Sequence, residues 1–193
     1  MFDSKRIALL GTLAALNSVV RLLGAGVAGV ETAFALIIIA GYVLGARFGL
    51  ALGALSITTS ALMSGGVGPW LPFQIAAAAI VGLGAGLLPK PKNSKLQKLT
   101  MSVYAVFAAY LYGALMTLWT WPLIAGGTVL GFEEGADLWT NLIKFFTYEL
   151  VSGGLLWDTG RAITTVVLIL LTASTLTTTL ERAATRVEVK VGL

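Results

Sequence analysis

Five charged side chains fall within or beside stretches of sequence that are otherwise apolar: Arg21, Glu31, Glu149, Asp158 and Arg161. Turning any of them towards lipid would cost roughly 2.5 to 3.5 kcal/mol, so each is expected to point inward. With Asn17, Gln74, Tyr112 and Tyr148 they have the composition of a polar cavity that holds a ligand. The same charges also suit ion pairs between helices. Asp158 and Arg161 stand three residues apart and share a helix face, while Arg21 and Glu31 flank one loop, where pairing with each other or with a ligand fits equally well.

Binding, not catalysis, is the chemistry these residue types allow. The chain has no Cys and no His, which removes disulfides, thiolate nucleophiles, His-based metal sites and haem ligation by His. A Gly-rich phosphate loop with its lysine is absent, so ATP is not hydrolysed by that route. Glu133-Glu134 lacks the histidines that an intramembrane metalloprotease needs, and no helix carries the carboxylate cluster of a two-metal centre. The expectation is a protein that is no enzyme and holds neither metal nor cofactor.

Aromatic residues add a second pattern. Trp70, Trp119, Trp121, Trp139 and Trp157 all fall near one membrane boundary. An interfacial belt explains tryptophans at such depth, but a belt marks both boundaries. One-sidedness favours a stacking pocket on the outer face for a ring-containing ligand. Small residues recur every fourth position at Gly11 and Ala15, at Gly41, Gly45, Gly49 and Gly53, and at Ala78, Gly82 and Gly86. Such stripes let helices approach closely in a bilayer. They serve either internal packing or a docking face on the first three helices for another membrane subunit.

The elements that must position these residues are membrane helices. Of the 193 residues, 57% are hydrophobic and only 11% charged, about half the charged fraction of a soluble domain. The apolar residues come in blocks near the roughly 20 that cross a bilayer. Helices are expected over about Arg6 to Leu23, Glu31 to Leu44, Phe48 to Met63, Phe73 to Leu88, Leu99 to Trp121 and Leu155 to Leu180. The Gly24-to-Gly29 stretch, the turn at Gly45-Ala46-Arg47, the loop Ser64 to Pro72 and the polar connector Pro89 to Lys98 separate them. Between Pro122 and Val151 a short interfacial or re-entrant helix is expected. The apolar run after Met1 to Arg6 reads as a retained first helix, since Asn17 and Arg21 interrupt it as a signal peptide.

The fold class expected is all-α: a polytopic membrane protein with six transmembrane helices, forming one domain over residues 1–193. Lys5, Arg6, Arg47, Lys90, Lys92, Lys95, Lys98, Arg182, Arg186 and Lys190 then share one face, opposite Glu133, Glu134 and Asp137. Positive loops stay in the cytoplasm, which places both termini there. The net charge of +4 belongs to these connections and forms no continuous stripe, so no nucleic-acid partner is expected.

The loop Gly66 to Gln74 and the segment Gly154 to Ala162 are similar to stretches in the substrate-binding (S) components of energy-coupling factor (ECF) vitamin transporters from high-GC Gram-positive bacteria. The layout of the chain resembles that family over nearly its full length. The resemblance implies a multi-pass protein of the prokaryotic cell membrane that binds a small-molecule vitamin near the outer surface. Its partners would be an ECF transmembrane coupling subunit and two ATP-binding subunits. By position, it selects Asn17, Arg21, Trp70, Gln74, Tyr148, Trp157, Asp158 and Arg161 as substrate-binding residues, and Gly11 with Ala15 as the docking pair for the coupling subunit. It leans towards the cobalamin-type branch, with thiamin, riboflavin or another ring compound as alternatives. The competing function is a non-transporting membrane scaffold that uses the glycine stripes alone.

Overall fold

The computed structural model describes residues 3–24 and 29–188. Ala25 to Ala28 of the first glycine-rich break and the tail carrying Lys190 lie outside the described residues, as does the side chain of Arg186. Among the described residues seven helices occur in order: α1 (Ser4–Gly24), α2 (Ala33–Leu44), α3 (Ala46–Ser64), α4 (Leu71–Ala85), α5 (Ser94–Ile124), α6 (Leu138–Val151) and α7 (Gly154–Glu188). Among them α1, α3, α5 and α7 are long and apolar enough to cross a membrane; α2 and α4 are apolar but shorter. The protein is membrane-embedded: Leu16, Leu23, Leu62, Val103, Phe107 and Leu171 are exposed while Asn17, Ser18, Ser56, Ser60 and Asp158 are buried, a distribution suited to lipid as solvent.

Helix α2 is the axis of the bundle. Its 12 residues extend only about 18 Å, well short of the roughly 30 Å hydrocarbon core. Ten of them, Ala33 through Tyr42, are buried, and α1, α3, α4, α5 and α7 all pack around it. An element sheltered by protein on every side can be short, because its ends never meet lipid.

Close approach around α2 is set by glycine. A Cβ on Gly49 would collide with the Gly82 carbonyl, one on Gly53 with the Ala78 carbonyl, and one on Gly86 with the backbone of Ala46. Gly41 lies equally close, 2.6 Å from its ideal Cβ to the Gly82 oxygen. These stripes therefore serve internal packing of α2, α3 and α4. Gly11 and Ala15 are different: both are exposed, and nothing lies within 4 Å of a Cβ added to Gly11.

Several boundaries differ from the sequence reading. Glu31 is not the first helical residue of α2; its carboxylate accepts from the Ala33 amide (3.1 Å) and so caps the helix from outside. Helix α5 begins at Ser94 because the Asn93 side chain accepts from the Lys95 amide, and it runs through Pro122 to Ile124. The interfacial helix starts at Leu138, where Asp137 accepts from the Thr140 amide and hydroxyl. The last helix continues past Leu180 to Glu188.

Charges sort to opposite ends. Arg6, Lys90, Leu44 and Ala184 border one cavity, and Arg6 and Arg47 border another beside it. Lys90 also sits 5.7 Å from the Tyr42 ring centroid. At the far end the loop before α6 is tied down: the Asn141 side chain accepts from the Glu133 amide and donates to its carbonyl, Lys144 pairs with Glu133, and the Trp121 indole donates to the Leu130 carbonyl.

Candidate ligand-binding site

Polar side chains on α1 and α3 meet roughly one to two turns below the ends of those helices. The Asn17 amide donates to Ser56 (3.0 Å), and the Ser18 hydroxyl to the Ser56 carbonyl (3.1 Å). One turn further on, Arg21 donates to Ser60 (3.0 Å) and its Nε lies 3.5 Å from Glu31. Arg21 and Glu31 thus pair with each other, and Glu31 divides its carboxylate between Arg21 and the α2 cap. The layer is incomplete: Asn17 Oδ1 is buried with no hydrogen-bond partner.

Across α2 a second layer joins α5 to α7. Asp158 and Arg161 form the expected ion pair, and Arg161 also donates to the Ala109 carbonyl (3.2 Å). Its guanidinium lies 4.8 Å from the Tyr112 ring centroid and 5.9 Å from that of Phe34, a cation–π arrangement between two rings that meet edge to face. Gly113 leaves the room that the Asp158 carboxylate fills. Arg161 Nε and Thr165 Oγ1 are buried and unpartnered. Tyr112 lies between Phe34 of α2 and Arg161 of α7.

Buried polar atoms in native folds nearly always find partners, so the orphans in these two layers need an explanation. They offer one acceptor (Asn17 Oδ1), one N–H donor (Arg161) and one hydroxyl (Thr165). Chemically, the set complements a molecule that carries both donors and acceptors. Residues 1–156 match the family described as ECF-type riboflavin transporter, S component. The chain belongs to that family. Comparison with curated proteins and with solved structures finds no match.

The S component is a part of a transporter and not an enzyme. The match stops just short of Asp158 and Arg161, so those two stand on geometry alone. Of the residues singled out from sequence, the S component brings together Asn17 and Arg21 in one layer and Asp158 and Arg161 in the other. Trp70 and Gln74 stand apart at the start of α4, with the Trp70 ring against Gly68. Tyr148 packs on the Trp121–Phe145 cluster, and Trp157 is 53% exposed.

The tryptophans have separate surroundings. Trp121 is buried in contact with Phe132 and Phe145, Trp139 is 71% exposed, and Trp119 lies parallel to Phe73 at 4.7 Å with its buried indole N–H unpartnered. Sequence reasoning missed Ser56, Ser60, Phe34 and Thr165. The Ser56/Ser60 pair at i, i+4 was a usable signal, because two hydroxyls on one face of an apolar helix imply a polar neighbour.

Proposed function

We propose that this S component captures riboflavin, or a closely similar flat heterocycle, at the Tyr112-centred cluster. It would then pass the vitamin inward with an ECF transmembrane coupling subunit and two ATP-binding subunits. In this reading the whole chain works as one domain of a multi-pass protein of the prokaryotic cell membrane. The chain crosses the membrane six times, the short helices α2 and α4 completing their passages with the segments that flank them, and the lysine-rich end with both termini faces the cytoplasm.

The observation that carries the reading is the set of orphaned buried atoms, Asn17 Oδ1, Arg161 Nε and Thr165 Oγ1. Leaving such groups unsatisfied costs about 1 to 3 kcal/mol each. The dione edge of an isoalloxazine presents N–H and carbonyl groups side by side, and its ribityl chain presents hydroxyls. That pattern complements one acceptor, one donor and a hydroxyl. Phe34 and Tyr112 supply ring faces beside them. Riboflavin moves ahead of the corrinoid favoured on sequence because the matching family's description names it.

Uptake of labelled riboflavin, thiamin and cobalamin by cells expressing the chain with and without a coupling module tests this. Riboflavin accumulation that requires both parts is expected. Failure of riboflavin with good expression, or preference for cobalamin, would overturn the substrate assignment.

A further inference from the structure

We infer a second ligand site, for an ammonium group, in the cavity enclosed by α5, α6 and α7. The cavity measures about 360 Å³ and its wall includes Phe107, Tyr110, Phe145, Phe146 and Glu149. Glu149 is 2% exposed, and neither of its carboxylate oxygens has a hydrogen-bond partner. Gly154 makes room for that carboxylate, since a Cβ there would overlap Glu149 Oε2.

The neighbouring charges are already committed. Asp158 also reaches the cavity but is neutralised by Arg161, and Lys144, the other cation near this end, pairs with Glu133. Among the described residues no ion pair reaches Glu149. A buried carboxylate without a counter-charge is among the least favourable arrangements a fold can hold. Its chemical complement is a cation small enough to enter and apolar enough to suit aromatic walls. An ammonium meets both needs, with charge-assisted hydrogen bonds to the carboxylate and its positive face against the rings. The Glu149 carboxylate disfavours an anion, and a plain acyl chain would leave it unsatisfied.

Phe107 and Phe146 are exposed on the flank of the bundle, so the site opens sideways. The ammonium could belong to a phospholipid headgroup or to a free amine. The two sites share a wall at Asp158, which lines this cavity and pairs with Arg161, but the inference is argued from Glu149, which has no hydrogen bond to Asn17, Arg21 or Arg161, and not from the flavin reading.

The test places the whole protein in nanodiscs containing either phosphatidylethanolamine or phosphatidylglycerol alone and tracks retained lipid by native mass spectrometry. In parallel, phenethylammonium is titrated against thermal unfolding. Retention of phosphatidylethanolamine alone identifies a headgroup, and stabilisation by phenethylammonium identifies a free amine. In either case Glu149→Gln should weaken binding roughly ten- to a hundredfold and leave riboflavin affinity as it was. If Glu149→Gln folds poorly, Phe146→Ala, which removes an exposed ring, should weaken the same ligand several-fold. Neither ligand binding to the wild type, equal binding by the variants, or loss of riboflavin binding in Glu149→Gln would each overturn the inference.

Discussion

The carboxylate of Asp158 on α7 occupies the space that a side chain at position 113 of α5 would need, so that a Cβ on Gly113 would fall among the carboxylate atoms. Backbone cannot yield as a flexible chain tip does, and Asp158 is itself held by Arg161. Gly113→Ala should therefore push Asp158 aside and destabilise the protein by about 1 to 3 kcal/mol, the usual cost of overpacking. Thermal unfolding in detergent measures this, with Gly11→Ala as the control that should change little. Equal unfolding temperatures for the two variants would contradict the packing described.

The pair itself predicts a two-part effect. Arg161→Ala strands a buried carboxylate, and breaking such pairs costs about 3 to 5 kcal/mol. It also removes a donor from the proposed ligand site. The stability cost follows from the burial of Asp158. The double change Asp158→Asn with Arg161→Gln should recover much of the stability and none of the flavin affinity. Recovery of both would show that the pair serves structure only.

Glycines on α1 and α3 should respond in opposite ways. Gly49→Leu drives a side chain into the Gly82 carbonyl and should prevent a folded protein from being recovered. Gly11→Leu meets open space, so folding and flavin binding should survive while uptake with the coupling module fails. Normal uptake by Gly11→Leu would remove Gly11 and Ala15 from the docking face.

Acid should loosen α6 from its start. Hydrogen bonds from the Thr140 hydroxyl and amide hold the Asp137 carboxyl below the usual carboxylate value. A depressed carboxylate contributes stability that is complete above its unfolded pKa and disappears as pH falls through the lower folded value. The protection of amides in the first turn of α6, taken relative to intrinsic exchange at each pH, should therefore fall below about pH 4, and Asp137→Asn should flatten that response. Protection that does not change with pH in the wild type would show that the cap does not hold the turn.

Residue type alone made the inward placement of the charges legible in the sequence. Arg21, Glu31, Glu149, Asp158 and Arg161 turn away from lipid because the penalty for charge in hydrocarbon is independent of the neighbours, and the structure buries them wholly or largely. The ion pair of Asp158 and Arg161 came from helix periodicity. Relationships across helices were not legible. Nothing about Gly113 marks it as the seat of Asp158, and Phe34 reads as one apolar residue among many until its ring meets Tyr112 (4.9 Å between centroids). The glycines of α2, α3 and α4 carried two meanings, and only the arrangement of those helices separated the internal ones from Gly11. Pro122 reads as a stop, yet α5 passes through it to Ile124.

The most direct measurement is a riboflavin titration of the purified protein, monitored by quenching of flavin fluorescence. Saturable one-to-one quenching is expected, reduced at least about tenfold in Arg21→Ala by loss of a charged donor and weakened in Asn17→Ala, which removes the unpartnered acceptor. Absence of saturable quenching in the folded wild-type protein, or full affinity in both variants, would contradict a flavin site at the Tyr112 cluster.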